Sequence, residues 1–177
     1  MVRSVYMEIT LSLSLRKRDG KSQLVYTISP AYRIVMCIIF LLIATAVFTS
    51  KPVSMSGIAV LSVCFLALLY EERWIFDTEA RTISYHFGLI CINKKRIYQL
   101  NEIENMSINH FARGKLNQSA LPEPEKMPFG SQTRLILNLT SGQAVLINTT
   151  SFNRRKKVID DAETIANYMQ LPLNFDN

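Results

Sequence analysis

Residues that commonly carry chemistry are scarce in this sequence. It has only three cysteines and two histidines. The cysteines, Cys37, Cys64 and Cys91, are odd in number and widely spaced, which excludes a CxxC pair or a zinc spacing and argues against a disulfide framework. His86 and His110 fall on separate predicted strands, with no acidic or cysteine residue at ligand spacing. We therefore expect no metal site.

Catalytic motifs are missing as well. The sequence has no P-loop, no GxSxG and no HExxH, and its glycines are spaced as single turns instead of clustering around a phosphate. The acidic residues Asp160, Asp161 and Glu163 fall on the polar side of the last predicted helix, as a solvated face does. We expect a protein that is not an enzyme and that binds no cofactor.

Long apolar runs are the most prominent feature that is present. Ala31–Phe48 and Val53–Leu69 are joined by a short polar link, and their one charge is Arg33, near the start of the first run. A spanning helix needs about 17–25 mainly apolar residues. We predict a transmembrane helical hairpin at 31–70, with spans of about 31–48 and 53–70. A soluble helical hairpin is the alternative.

Basic residues predict the orientation of this hairpin. The segment before it is rich in arginine and lysine, whereas the link between the two runs carries only Lys51. By the positive-inside rule, both termini lie in the cytoplasm and the protein is a multi-pass protein of the cell inner (plasma) membrane. We do not expect the first run to be a cleaved secretory signal, because strand-like sequence precedes it and a second apolar run follows at once.

Residues 1–30 read as a β-hairpin. Apolar and polar residues alternate strictly over residues 4–15, Asp19-Gly20 marks a turn, and alternation resumes over Gln23–Ile28. An isolated hairpin is marginally stable in water. Its apolar face must therefore pack against either the rest of the chain or the membrane surface.

Residues 71–177 read as a separate cytosolic domain. Strands are predicted at Arg73–Phe76, Arg81–Leu89, Arg96–Leu100, Ile103–Phe111, Arg134–Leu139 and Ala144–Asn148. A long proline-containing loop separates the fourth strand from the fifth, and a helix of about 16 residues begins at Asn153 with a buried stripe at Val158, Ala162, Ile165 and Met169. A run of antiparallel strands closed by one amphipathic helix is the pattern of a pleckstrin-homology-like (PH-like) β-barrel. The predicted fold class is membrane α+β.

Several stretches resemble a known family. The two apolar runs followed by Arg73–Asp77, Tyr85–Leu89, Lys95–Tyr98 and Glu102-Ile103 look like the bacterial two-span membrane proteins with a PH-like domain. The resemblance covers Ala31 to about Leu173 and rests on short motifs. It implies a two-span membrane protein with a PH-like domain after the helical hairpin.

A narrower resemblance is to the two-span photosystem I assembly factor of cyanobacteria and chloroplasts. The segment Ala162–Leu173 is similar to the C-terminal helix and tail of that family. Phe87-Gly88 stands where the family has an aromatic-Gly-Phe-Pro-Gly turn, and Asn93–Arg96 stands where it has Lys-Asn-Arg-Arg. This resemblance implies a role in assembling a membrane complex.

Three basic clusters are the candidate contact residues: Arg16, Lys17 and Arg18; Lys94, Lys95 and Arg96; and Arg154, Arg155, Lys156 and Lys157. They could face a protein partner or an anionic leaflet, although setting topology and solubility also accounts for them. Nucleic acid is not an expected partner, because the clusters lack interleaved aromatic residues. The expected function is protein interaction or support of a membrane complex. The alternatives are an anionic-lipid-binding sensor module and, from the narrower resemblance, a photosystem I assembly factor.

Overall fold

A computed structural model of the chain describes residues 13–17, 22–50, 54–90, 92–111 and 131–176. The strands are β1 (Leu13–Lys17), β2 (Gln23–Ile28), β3 (Tyr70–Asp77), β4 (Thr82–Leu89), β5 (Ile92–Gln99), β6 (Ile103–Phe111), β7 (Gln132–Leu139), β8 (Ala144–Ser151) and β9 (Leu173–Asp176). The helices are α1 (Pro30–Thr49), α2 (Met55–Leu69) and α3 (Arg155–Met169).

The strands form two sheets. Sheet A is antiparallel and holds β1 to β5 in chain order, and sheet B has the order β8-β7-β6-β9, with β9 parallel to β6. The predicted α+β class is confirmed. Among the described residues no strand pairing joins the two sheets, so they form two packed layers and the predicted closed barrel is unconfirmed.

The N-terminal hairpin is part of sheet A. Strand β2 pairs with β3 from Gln23 opposite Asp77 to Thr27 opposite Arg73. The buried residues of β2 lie in the same core as those of β3. The sequence left two possible packing partners for the hairpin, the rest of the chain and the membrane surface. In the structure the hairpin pairs with β3, the strand that follows the helices. Strands on both sides of the helical hairpin therefore build one sheet.

The core lies between the two sheets and α3. Its largest fully buried side chains from sheet A are Tyr26, Trp74 and Phe76. The predicted stripe of α3 is confirmed, and its buried residues are Val158, Ala162, Ile165, Ala166 and Met169. The Asn148 side-chain amide also donates a hydrogen bond to the Tyr26 hydroxyl, which links sheet B to sheet A.

Several boundaries differ from the prediction. Strand β3 begins at Tyr70, directly after α2, and β5 begins at Ile92. Polar residues are tolerated in β5 because nearly all of its side chains are exposed. The short parallel strand β9 was missed, and α3 starts two residues later than predicted. Residues 4–12 of the predicted first strand lie outside the described residues, as does the predicted loop Gly114–Ser131 apart from Ser131 itself.

The apolar runs form two packed helices of unequal length. Helix α1 has 20 residues and a mean hydropathy of 2.4 over its most apolar window, and it is the one described helix that is both long and apolar enough to span a membrane. Helix α2 has 15 residues, so the predicted two-span hairpin is unconfirmed. The rings of Phe40 and Phe65 lie 5.8 Å apart. A Cβ added to Gly57 would lie 2.9 Å from Val47 Cγ2, so the helices approach closely near their connection.

Candidate interaction surface

Both helices leave sheet A at the same end. Strand β2 ends at Ile28 and α1 begins at Pro30, while α2 ends at Leu69 and β3 begins at Tyr70. Because β2 and β3 are antiparallel neighbours, the two junctions lie side by side. We call the end of the strands at which the helices join sheet A the helix end, and the opposite end of the strands the far end.

Several polar contacts lie where the helices join the helix end. Arg33 Nη2 lies 3.7 Å from Glu71 Oε1, and Arg73 Nη1 lies 3.6 Å from the same oxygen. These pairs are partly exposed, so each contributes little to stability. The backbone N–H of Ile90 donates to the carbonyl oxygen of Leu69 at 3.0 Å, which joins the β4–β5 turn to the last residue of α2.

The second basic cluster lies near the helix end. Lys94, Lys95 and Arg96 are exposed on β5, and Lys94 pairs with Phe87, which in turn pairs with Glu72 near the start of β3. The Arg96 guanidinium carbon lies 5.9 Å from the centre of the Phe87 ring. Lys94 and Lys95 are therefore the residues of this cluster whose charges are presented beside the helix junctions.

The first basic cluster lies elsewhere. Arg16 and Lys17 are part of β1, and Lys17 pairs with Leu24 toward the far end. Strands β1 and β5 are the opposite edges of sheet A. Four spacings of about 4.8 Å separate them by about 19 Å. The structure therefore does not bring the first and second clusters together, and Arg18 lies outside the described residues.

Half of the third cluster has structural contacts. Lys157 Nζ donates to the carbonyl oxygen of Leu13 at 2.9 Å, and the Arg155 guanidinium carbon lies 3.9 Å above the Phe152 ring. Arg154 and Lys156 are exposed. Arg155 and Lys157 are therefore accounted for by contacts within the domain.

A stack of aromatic rings lies on β3 and β4, the strands next to β5 in sheet A. The rings of Trp74 and Tyr85 are 4.3 Å apart, and those of Tyr85 and Phe87 are 5.1 Å apart. The Tyr85 hydroxyl donates to Glu72 Oε1 at 2.9 Å. Burial, and then the charge of Glu72, raises the pKa of Tyr85 above its usual value. This cluster was not predicted, although the alternation of apolar and polar residues along β4 places Tyr85 and Phe87 on one face.

The described residues carry no catalytic arrangement that we can recognise. They contain no group of three or more histidine, cysteine, aspartate or glutamate side chains that could hold a metal ion. His86 lies on β4 in sheet A and His110 on β6 in sheet B. As predicted, the two histidines lie on separate strands, and these strands belong to different sheets.

Both histidines make stability depend on pH. Burial lowers the pKa of His86, and Arg73 and Lys95 lower it further while Glu71 partly raises it. Burial, and then Arg155, lowers the pKa of His110. An unfolded histidine takes up its proton near pH 6.5. Below that pH the unfolded chain binds more protons than the folded chain does.

We therefore expect the histidine contribution to be fully present above pH 6.5 and to be lost as the pH falls toward the folded pKa values. The melting temperature of the full chain in detergent should be lower at about pH 5.5 than at about pH 7.5. The double variant His86→Gln with His110→Gln should lose less over the same interval. An unchanged dependence in that variant would contradict this assignment.

Two comparisons with known proteins gave no match. No protein-family model matches the chain, and none of the curated proteins is significantly similar to it. The two family resemblances noted in the sequence therefore stay predictions.

Proposed function

We propose that this chain is a non-enzymatic integral membrane protein whose two-sheet domain lies on the cytosolic side and binds a protein partner. The observation that carries the proposal is the uncovered apolar surface of the helices. Only 6% of the most apolar window of α1 is buried, and Leu42 is 65% exposed. A core helix would be covered by the protein, whereas a surface this large and apolar is unfavourable in water.

In this proposal helix α2 lies in the bilayer together with α1. It packs along α1 through Phe40 with Phe65 and through Val47 with Gly57, and Val63 on its outer face is exposed. Fifteen residues rise about 22 Å, which is less than the roughly 30 Å of hydrocarbon. Local thinning of the bilayer accommodates a short helix at modest cost.

The charge distribution supports a cytosolic domain. The chain carries a net charge of +6, and Lys51 is the one basic residue in the link between the apolar runs. Lys94 and Lys95 lie beside the helix end, where α1 begins and α2 ends. This asymmetry matches the positive-inside rule and favours the inner membrane as the location.

The outer edge of β5 is the surface that favours a protein partner. Among the described strands none pairs with this edge, and every β5 side chain except Tyr98 is exposed. An extended segment of another protein can add a strand to such an edge through main-chain hydrogen bonds. Lys94, Lys95 and Arg96 favour an acidic segment.

The test is purification of the full chain from its native membranes. We expect the chain to stay in the membrane pellet after a carbonate wash and to co-elute with a protein partner in mild detergent. Ile97→Asp, which alters the β5 edge, should remove the partner. Leu146→Asp is the matched control, because Leu146 is an exposed apolar residue of β8 in sheet B.

Two results would overturn the proposal. Release of the chain by carbonate would contradict membrane insertion. Absence of a co-eluting protein, or an equal effect of the Ile97 and Leu146 substitutions, would contradict partner binding at β5.

An anionic-lipid sensor is the second candidate function. Lys94 and Lys95 lie beside the helix end, where a leaflet surface would be within reach, and each nearby basic residue contributes about 1 kcal/mol. The same eluate distinguishes the candidates, because this function predicts bound anionic lipid. That lipid should decrease in Lys94→Gln with Lys95→Gln and persist in Arg16→Gln with Lys17→Gln.

A further inference from the structure

Two exposed isoleucines flank the turn between β4 and β5. Ile90 is 51% exposed and Ile92 is 76% exposed, and position 91 between them lies outside the described residues. The 3.0 Å hydrogen bond from Ile90 N–H to the Leu69 carbonyl holds this turn level with the last residue of α2. Leu89 pairs with both Tyr70 and Ile92, so the turn lies at the helix end of sheet A.

We propose that Ile90 and Ile92 insert into the interfacial layer of the bilayer as a third membrane contact beside the two helices. The inference rests on the proposed membrane location. It deepens that proposal by assigning a lipid contact to the sheet domain itself. The bilayer is the favoured occupant because Ile90 is hydrogen-bonded to Leu69 at the end of α2, three residues after the exposed Leu66. Removing two isoleucine side chains from water is favourable.

The residues after Ile92 pass from apolar to basic along β5, which is the order expected of a strand that leaves a membrane interface. Strand residues rise by about 3.4 Å each, so Lys94 lies about 7 Å and Lys95 about 10 Å farther along β5. At that distance from an inserted tip, their ammonium groups reach the level of the lipid headgroups. Ile97 lies about 17 Å from Ile92 and falls outside the bilayer.

This contact would fix the orientation of the domain. The helices leave from β2 and β3, whereas the tip joins β4 and β5, which lie one to three strand spacings away across sheet A. Contacts at the two helices and at the tip hold sheet A at a defined tilt. The far half of the β5 edge then stands at a defined height above the membrane surface.

The test places a fluorescent probe at single cysteines in the full chain. Cys37, Cys64 and Cys91 are replaced by serine, and a polarity-sensitive nitrobenzoxadiazole label is attached to Ile92→Cys, Ile97→Cys or Leu42→Cys. Each protein is reconstituted into phosphatidylcholine vesicles with or without phosphatidylglycerol. Quenching is measured with lipids that carry a nitroxide near the headgroup or deep in the acyl chain. Ile97 is the matched control, because it lies on the same strand and is also exposed, at 51% against 76% for Ile92.

We expect the label at position 92 to be quenched by the headgroup-level nitroxide in both vesicle types, the label at 97 to be quenched by neither nitroxide, and the label at 42 to be quenched by the deep one. Quenching at 42 with none at 92 would overturn the inference and leave the membrane location intact. Equal quenching at 92 and 97 would overturn it as well. Absence of quenching at 42 would instead overturn the proposed membrane location and, with it, the inference.

Discussion

Replacing Trp74 with alanine is expected to lower the free energy of unfolding by about 3–5 kcal/mol. Trp74 is completely buried, and its ring stacks on Tyr85 at 4.3 Å and faces Tyr98 at 6.4 Å. Removing the indole leaves a cavity at the centre of sheet A. For a chain of this size the melting temperature should fall by roughly 6–20 °C. Thermal unfolding of the full chain in detergent, followed by circular dichroism, measures the change.

Trp74→Phe is the control, because it keeps an aromatic ring in the stack. Trp74 Nε1 is buried and has no hydrogen-bond partner among the described residues, so phenylalanine leaves no acceptor unpaired. We expect a clearly smaller loss than for alanine. A melting temperature for the alanine variant within about 2 °C of the original protein would contradict the central role given to this ring.

The stack also connects the core to the candidate surface. Tyr26, Trp74, Tyr85 and Arg96 lie opposite one another across β2, β3, β4 and β5. Arg96 sits over Phe87 on the exposed edge strand. Loss of the indole should therefore loosen β5 as well as the core, and a variant that weakens partner binding needs its stability measured beside its binding.

Local patterns predicted most of the strands and the last helix. Alternation of period two identified Gln23–Ile28 and Arg81–Leu89, and the spacing of Val158, Ala162, Ile165 and Met169 identified the buried face of α3. These signals come from neighbours along the chain. They are readable in one sequence because each residue's face is set by the geometry of its own element.

Pairings between distant segments could not be predicted in this way. Nothing in the local pattern of Gln23–Ile28 specifies that it pairs with β3 across the helical hairpin, or that Leu173–Asp176 lies parallel to β6. The same limit applies to the basic clusters. Lys17 and Lys94 looked equivalent in the sequence, yet the strand order places them on opposite edges of sheet A.

Gly88→Ala is expected to open the β4–β5 hairpin. Gly88 has φ of +140°, and a Cβ added there would lie 2.4 Å from the Ile92 carbonyl oxygen and 3.0 Å from Asn93 Cα. The backbone conformation alone costs a non-glycine residue about 1–3 kcal/mol. The clash adds to this cost because it is with backbone, which cannot rotate away. Hydrogen exchange should show loss of protection in β5 amides, together with a lower melting temperature.

Gly142→Ala separates the two causes of that loss. Gly142 also has a positive φ, of +79°, but an added Cβ would meet nothing within 4 Å. This variant should therefore carry only the conformational cost, about 1–2 kcal/mol, and leave β5 protected. Because Gly88 pairs with Asn93 beside Lys94, opening this hairpin displaces both the isoleucine tip and the basic residues behind it. If Gly88→Ala left the exchange of β5 unchanged, the close backbone approach at Gly88 would not be what holds the edge strand in place.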